Sequence, residues 1–410
     1  MCTIIQIKYA PEMLMKCPEC QTQYSHSNSG RSSTRALRLF VLTGGVAAIT
    51  ISFADPSHQT DPPVEPTSRA QATAIVGNAR KILTPQGIER LEKVRIGGIQ
   101  QWVSVRGVDR RNPVLLYIHG GPGYVSMPMS WWSTRGWEEY FTVVQWDQRA
   151  AGKTFLLTDP KAVAGTLTNE RMIGDAVEMV DWARKELGKQ KIFVLGHSYG
   201  SYLGLKVALR HPDWLHAYIG VGQVANMSKS ERLGWEFAMN AARQDGNAQA
   251  IHELESIAPY SAPGKPSPIE DTYIERKWMT YYGGAMAYRK TNDAETDLSY
   301  LSPDYTDDEI RHLWDGNAFE TPYLLPGMIA DRTIATKLDV PLILFEGRHD
   351  KNVNASVSAE WFSQVNAPTK QLVWFEHSAH LLITEEPGKA LVSLLRYARP
   401  IAERAGDVAP

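Results

Sequence analysis

The chain has 410 residues, of which 43% are hydrophobic and 21% are charged, and its formal net charge at pH 7 is −2. These proportions are ordinary for a globular protein, and the length allows one large domain with an insertion. The near-zero net charge gives no electrostatic reason to expect a nucleic acid or an acidic membrane surface as a partner. The composition agrees with one sizeable enzyme and leaves its oligomeric state open.

The amino-terminal stretch has the features of an export signal. Three arginines between positions 31 and 38 precede the apolar run 39–54, which ends with the small residues Ser52 and Ala54. Residues 1–54 are therefore predicted to be an N-terminal extension with a signal peptide that ends near Ala54, or with a membrane anchor, although the run is shorter than the roughly 20 residues that span a bilayer. The Pro-rich segment 55–68 is predicted to be a linker. This interpretation implies a periplasmic or secreted protein, with or without a membrane tether.

Eight short apolar runs are predicted to be strands of one sheet. They lie near residues 92–96, 100–106, 114–118, 142–147, 191–195, 216–221, 341–345 and 371–375. The segment 169–188, between the fourth and fifth runs, has apolar residues at helical spacing. Strands that alternate with helices indicate an α/β fold, here an eight-stranded, mostly parallel sheet with helices on both faces.

The chain between the sixth and seventh runs is long enough to form a cap. Residues 223–337 are rich in aromatic side chains and are predicted to be mainly helical, as in the segment 230–243. The core is then formed by residues 69–222 and 338–402, on either side of this insertion.

A loop rich in Gly and Pro, His119-Gly-Gly-Pro-Gly123, follows the third predicted strand. Glycine lets a backbone N–H approach a substrate closely, and a Gly-Pro bond can be cis, which would fix the shape of the loop. Where a nucleophile follows downstream, such a loop is predicted to donate one N–H to an oxyanion, from Gly121 or alternatively from Gly120. By itself the segment is also typical of a simple turn.

The segment Gly196-His-Ser-Tyr-Gly200 has the G-x-S-x-G pattern of a nucleophile elbow. A predicted strand precedes it and a helical pattern follows it, and a sharp strand-to-helix turn needs small residues on both sides of the serine. Ser198 is therefore predicted to be a catalytic nucleophile. The N–H of Tyr199 is predicted to be the second donor to the oxyanion.

An acid and a histidine follow the elbow in the chain order that this arrangement requires. Asp350 comes just after the seventh predicted strand, and His377 and His380 lie in the loop after the eighth. The carboxyl ends of parallel strands meet at one edge of a sheet, so these side chains are expected to lie near Ser198. The prediction is a triad of Ser198, Asp350 and His380, and His380 is preferred to His377 because small residues precede it. Considered one at a time, the aspartate is also typical of a turn and the histidine of a surface loop.

Two groups of metal-binding residue types are not expected to hold a metal. Cys17-Pro-Glu-Cys20 has no second cysteine pair, and Glu376, His377 and His380 share one loop with no second cluster. No metal and no other cofactor is predicted.

Two of these segments, together with a third between them in the chain, resemble a known family. His119-Gly-Gly-Pro-Gly123, Trp146-Asp-Gln-Arg-Ala-Ala-Gly-Lys-Thr154 and the elbow serine are similar to the proline iminopeptidase group of the α/β-hydrolases, over about residues 90–225 and 335–400. The resemblance implies the α/β-hydrolase fold with an inserted helical cap. It also implies a serine aminopeptidase that releases N-terminal residues, classically proline, without a metal.

The chain departs from the family pattern at several positions. Ala150 stands where the family has Gly, and Thr154 where it usually has Ser. The elbow contains His197 and Tyr199, whereas typical iminopeptidases have Gly and Trp on either side of the serine. These differences concern the substrate more than the type of reaction.

The resemblance also implies carboxylates in the cap that receive the free ammonium group of the substrate. Glu275 is the first candidate and Glu236 the second, and Trp278 could line an apolar pocket for a proline ring. The alternative is that the glutamates are solvated and that the tryptophan packs between cap and core.

Two other functions fit the same residues. A broad carboxylesterase or amidase would share the triad but lack a carboxylate for the ammonium group. A hydrolase fold used only for binding is the less favoured alternative, because the Ser, Asp and His set is complete.

Overall fold

A twisted sheet of eight strands runs through the computed structural model, which describes residues 65–157, 159–262, 267–331 and 335–410. The predicted signal peptide or anchor, the three cysteines and most of the predicted linker lie outside the described residues. Within the described residues, no helix is both long and apolar enough to cross a membrane.

The strands are, in chain order, β1 (Ile88–Ile96), β2 (Ile99–Gly107), β3 (Val114–Ile118), β4 (Thr142–Asp147), β5 (Ile192–His197), β6 (Leu215–Val221), β7 (Leu342–Gly347) and β8 (Lys370–Phe375). Their order across the sheet is β1-β2-β4-β3-β5-β6-β7-β8. β1 pairs antiparallel with β2 and β2 antiparallel with β4, and every other pair is parallel. The prediction of an eight-stranded, mostly parallel sheet is confirmed.

The strand boundaries differ from the prediction where polar residues take part in pairing. β1 begins at Ile88 because it is an edge strand whose alternate side chains are exposed, so an apolar run marks only part of it. β5 and β7 continue to His197 and Gly347, since backbone pairing with Val221 and Phe375 does not depend on the side chains.

The α-helices of the core are α1 (Arg69–Ala79), α2 (Ser130–Ser133), α3 (Gly152–Phe155), α4 (Pro160–Ala164), α5 (Asn169–Glu186), α6 (Tyr199–Arg210), α13 (Ala355–Gln364), α14 (Leu382–Glu385), α15 (Pro387–Ser393) and α16 (Arg399–Arg404). The predicted helix 169–188 is α5, which starts after the capping residue Thr168 and ends two residues early, before Gly188 adopts a φ of 65°.

Between β6 and β7 the described residues form six further helices, which are α7 (Met227–Asp245), α8 (Ala248–Ser256), α9 (Ile269–Tyr281), α10 (Asp293–Tyr300), α11 (Asp307–Arg311) and α12 (Asp315–Ala330). Part of this insertion has its own apolar core, to which Met239, Leu254, Trp278 and Met279 contribute. We call the whole insertion between β6 and β7 the cap below.

Both faces of the sheet are buried, which is why its central strands are mostly apolar. Successive residues of a strand point to opposite faces, so Leu116 packs in one apolar cluster and Leu115 in the other. The central strands are thereby held firmly, and the loops at their carboxyl ends carry the polar residues described next.

Candidate active site

Ser198 occupies a sharp turn between β5 and α6. Its backbone has φ 55° and ψ −121°, a conformation that residues other than glycine rarely adopt. A Cβ placed on Gly196 would lie 2.2 Å from the carbonyl oxygen of Gly200, and one on Gly200 would lie 2.1 Å from that of Ile118. The two glycines of the motif are therefore required by close backbone contacts on both sides of the serine.

This crowding predicts a large loss of stability when Gly200 is replaced by alanine. We expect Gly200→Ala to lower the free energy of unfolding by about 3 kcal/mol or more, because the backbone of β3 must shift to admit a methyl group. Urea unfolding measures the change. Gly165→Ala is the matched control, since a Cβ there meets no atom within 4 Å, and a Gly200→Ala protein as stable as this control would contradict the described elbow.

His380 and Asp350 are joined at the carboxyl edge of the sheet. The Nδ1 of His380 lies 2.8 Å from Oδ2 of Asp350. The other oxygen, Oδ1, accepts hydrogen bonds from the N–H groups of Asn352 and Val353, each at 2.9 Å. The carboxyl group is fully buried, so its orientation is fixed by three contacts, and Nε2 of His380 is the ring nitrogen left to accept a proton.

His377 takes no part in this arrangement, because its side chain is exposed. The loop that holds His380 is instead bound to the cap. The N–H groups of His380 and Leu381 donate to the carbonyl oxygen of Ala285 at 2.9 and 3.2 Å. Glu385 accepts from the N–H of Ala287 and from that of Ala379 in the histidine loop.

Hydrogen bonds within the loop His119–Gly123 determine the direction in which the N–H of Gly121 points. The carbonyl oxygen of Gly120 accepts from the N–H of Tyr124 at 3.1 Å and contacts Nδ1 of His119 at 2.9 Å. In a planar peptide the C=O and the N–H point in opposite directions, so the N–H of Gly121 is turned away from these donors. Gly121 has φ 111°, which favours glycine, and its bond to Pro122 is cis.

The residues after β4 support this loop. Gln148 donates its backbone N–H to Nε2 of His119 and its side-chain amide to the carbonyl oxygen of His119. Arg149 forms a buried ion pair with Asp175 at 2.9 Å. Asp147 accepts from the N–H of Lys153 at 2.7 Å. The segment Asp147–Arg149 is therefore a structural support for the site.

The two unusual elbow residues have separate contacts. His197 is largely buried, and its Nε2 donates to the carbonyl oxygen of His380 at 2.9 Å. Burial, with His380 nearby, lowers the pKa of His197 to about 3, so its ring stays neutral. The hydroxyl of Tyr199 donates to Asn169 at 2.7 Å, which directs the side chain into the core. Its backbone N–H, at the first position of α6, has no acceptor within the helix.

A cavity of about 270 Å³ opens beside the serine. Ser198, His380, Gly120 and Gly121 all line it, so the structure brings the predicted nucleophile, base and oxyanion loop to one space. Residues of the cap form the rest of the wall, and those from α9 are Thr272, Tyr273, Arg276 and Thr280.

The three residues predicted to bind substrate do not line this cavity. Glu275 is fully buried behind the wall, where it accepts from Arg276 at 3.2 Å. Glu236 lies at the surface of α7 in an ion pair with Arg232. Trp278 packs in the apolar core of the cap and donates to Glu253. Helix α9 is rotated so that Arg276, rather than the adjacent glutamate, meets the cavity.

A different glutamate lies next to the site. Glu295 of α10 is only 3% exposed and lines a side pocket of about 20 Å³. Tyr124, His197 and Leu381 line both this side pocket and the larger cavity. The Thr384 hydroxyl donates to Oε1 of Glu295, and the Tyr124 hydroxyl is a second hydrogen-bonding neighbour of this carboxyl group. Burial raises the pKa of Glu295, and the hydrogen bonds from Thr384 and Tyr124, with His380 nearby, oppose that rise.

Sequence reasoning missed Glu295 and Arg276. Neither belongs to a motif, and the segment 293–300 is a short polar helix without a clear apolar face. The sequence shows Glu295 only as one of several acidic residues on a helix of the cap, and nothing in the sequence distinguishes it from the solvated ones.

Comparisons with known proteins bear on the family and the fold. The sequence family described as the alpha/beta hydrolase fold matches residues 113–387. The "Probable aminopeptidase YbaC" of Bacillus subtilis (strain 168) is 27% identical over 77% of this chain and 98% of its own length. The "Proline iminopeptidase" of Saccharolobus solfataricus is 25% identical over 72% of this chain and 88% of its own. A crystal structure of the proline iminopeptidase of Mycobacterium smegmatis covers 77% of this chain and 100% of its own at a TM-score of 0.55 and 16% identity, which shows a shared fold.

Proposed function

Because the chain belongs to the family with the alpha/beta hydrolase fold, we propose that it is a serine hydrolase that forms an acyl-enzyme on Ser198. One observation carries the proposal: the strained elbow serine and the histidine paired with Asp350 line the same cavity. A serine hydroxyl is a poor nucleophile unless a base takes its proton and a third group orients that base. These three side chains supply the nucleophile, the base and the orienting acid.

In the proposed reaction, Asp350 holds His380 with Nδ1–H donating to it, so that Nε2 takes the proton of Ser198. The Ser198 oxygen attacks the scissile carbonyl carbon, and the N–H groups of Gly121 and Tyr199 stabilise the oxyanion. His380 then gives the proton to the departing amine. Water hydrolyses the acyl-enzyme by the same steps in reverse.

We propose that the substrates are short peptides and related amides with a free N-terminal amine, with proline favoured at that end. The names of two relatives, one an aminopeptidase and one a proline iminopeptidase, support this class. Among the residues beside the cavity, Glu295 supports it physically, because a buried carboxylate at this place is stabilised by a cation. Tyr124, His197 and Leu381 line both pockets, so an amine bound in the larger cavity would lie near the side pocket that Glu295 lines.

The test compares prolyl naphthylamide with its N-acetylated form and with a short-chain nitrophenyl ester. We expect the wild type to require the free amine. In Glu295→Gln, kcat/KM for prolyl naphthylamide should fall about 10- to 100-fold, since a charge-assisted hydrogen bond is lost, while the ester is hydrolysed within about threefold of the wild-type rate. Glu236→Gln is the matched control, because that glutamate lies at the surface away from the cavity.

Two other outcomes would favour the competing functions. Equal cleavage of the acetylated amide, or a strong preference for the ester, would identify a broad carboxylesterase or amidase. Failure of the protein to react with a fluorophosphonate would indicate a fold used only for binding.

A further inference from the structure

A permanent positive charge lies in the wall of the cavity beside Ser198. Among the described residues that line the cavity, Arg276 is the one whose side chain is charged at every physiological pH. Thr272 and Thr280, four positions before and after it on α9, line the cavity as well, as one face of a helix does. The Arg276 side chain is 23% exposed, so a ligand in the cavity can reach it.

Two buried carboxylates hold the guanidinium from outside the cavity. Nη2 of Arg276 donates to Glu231, and Nη1 donates to Glu275 at 3.2 Å and to the carbonyl oxygen of Asn352 at 3.3 Å. Both glutamates are fully buried and neither lines the cavity. A guanidinium has five N–H groups, so at least two are left without an acceptor among the described residues. The guanidinium group is thus fixed in position, and it keeps N–H groups that can donate to a ligand.

We propose that Arg276 binds the C-terminal carboxylate of a short peptide whose N-terminal amine lies at Glu295, an inference that rests on the proposed aminopeptidase activity. Planar guanidinium groups bind carboxylates through two parallel hydrogen bonds, and a partly dry cavity strengthens such contacts. A cavity of about 270 Å³ is near the lower end of the range for small-ligand sites, which suits a peptide of two or three residues. Glu295 would then bind the positive end of the peptide and Arg276 the negative end. Together the two residues would favour a zwitterionic peptide and determine where its scissile bond lies.

Arg276 also contacts the loop of the catalytic acid, since Asn352 follows Asp350 by two residues and accepts from the guanidinium. Loss of the arginine could therefore displace Asp350 and lower kcat for every substrate. Recognition of a carboxylate would act differently, because it would affect KM and only for peptides that end in a free acid. Substrates with and without that group separate the two roles.

The experiment measures release of proline from Pro-Ala and from its C-terminal amide, with prolyl naphthylamide as the reference. We expect wild-type kcat/KM to be about 10- to 100-fold higher for the free acid than for the amide, mostly through KM. Arg276→Gln should reduce the ratio of kcat/KM for the free acid to that for the amide to about one, whatever change in kcat the two substrates share, and Arg276→Lys should restore part of this ratio. Lys277→Gln, which removes an exposed positive charge on the same helix, should leave the preference intact.

Equal wild-type cleavage of Pro-Ala and its amide would overturn the proposal without any variant being needed. An equal loss on all three substrates in Arg276→Gln would assign the arginine to positioning of the acid loop instead. Failure of the aminopeptidase proposal is recognised separately, as absence of a free-amine requirement with prolyl naphthylamide.

Discussion

Ser198→Ala is expected to lower kcat about 10⁴- to 10⁶-fold, because no other hydroxyl in the elbow can form the acyl-enzyme. Ser201, the next serine along α6, is fully buried and its hydroxyl donates to the carbonyl oxygen of Ser198. The fold should be kept, since only one oxygen atom is removed at a position that is 6% exposed. Single-turnover and steady-state assays measure the loss, and urea unfolding verifies stability.

Labelling with a fluorophosphonate provides the control for this result. Peptide mass spectrometry of the wild type should locate the label at Ser198, and the alanine variant should not be labelled. Activity within tenfold of the wild type, or a label at Ser201, would remove Ser198 from the mechanism.

Asp350→Asn is expected to lower kcat about 10⁴-fold with little change in KM, by fixing the wrong tautomer of His380. The asparagine oxygen would keep the two backbone N–H bonds that Oδ1 of Asp350 accepts. Its NH₂ group would then face Nδ1 of His380, so the imidazole would carry its proton on Nε2 and could not accept one from Ser198.

Asp339→Asn is the matched control, since that aspartate lies at the surface just before β7 and pairs with Lys337. Its kcat should equal that of the wild type. A decrease of less than tenfold in Asp350→Asn would show that the contact between His380 and Asp350 does not set the proton position during the reaction.

The sheet and the cluster around the serine could be predicted because their signals are local. The apolar runs give the strands, and the elbow pattern between a strand and a helix marks Ser198 without knowledge of the rest of the chain. Asp350 and His380 could be inferred because parallel strands bring their carboxyl ends to one edge. In the structure, Nδ1 of His380 lies 2.8 Å from Oδ2 of Asp350.

The residues of the substrate cavity could not be predicted in the same way. Glu275 and Arg276 are adjacent, and a helix with 3.6 residues per turn points them about 100° apart. The rotation of α9 that buries the glutamate and exposes the arginine depends on packing against the rest of the cap. Glu295 belongs to another helix, whose place beside Tyr124 follows from the tertiary structure alone.

The attachment of the histidine loop to the cap has a consequence for motion. Gly284 and Ala285 accept hydrogen bonds from Lys351, beside the catalytic acid, and from His380 itself. A cap that lifted away at this segment would break those bonds and pull the base from its acid. The position of this segment is therefore linked, through backbone hydrogen bonds, to the positions of His380 and of the loop that holds Asp350. Substrate entry that keeps His380 paired with Asp350 is therefore expected to leave this segment of the cap in place.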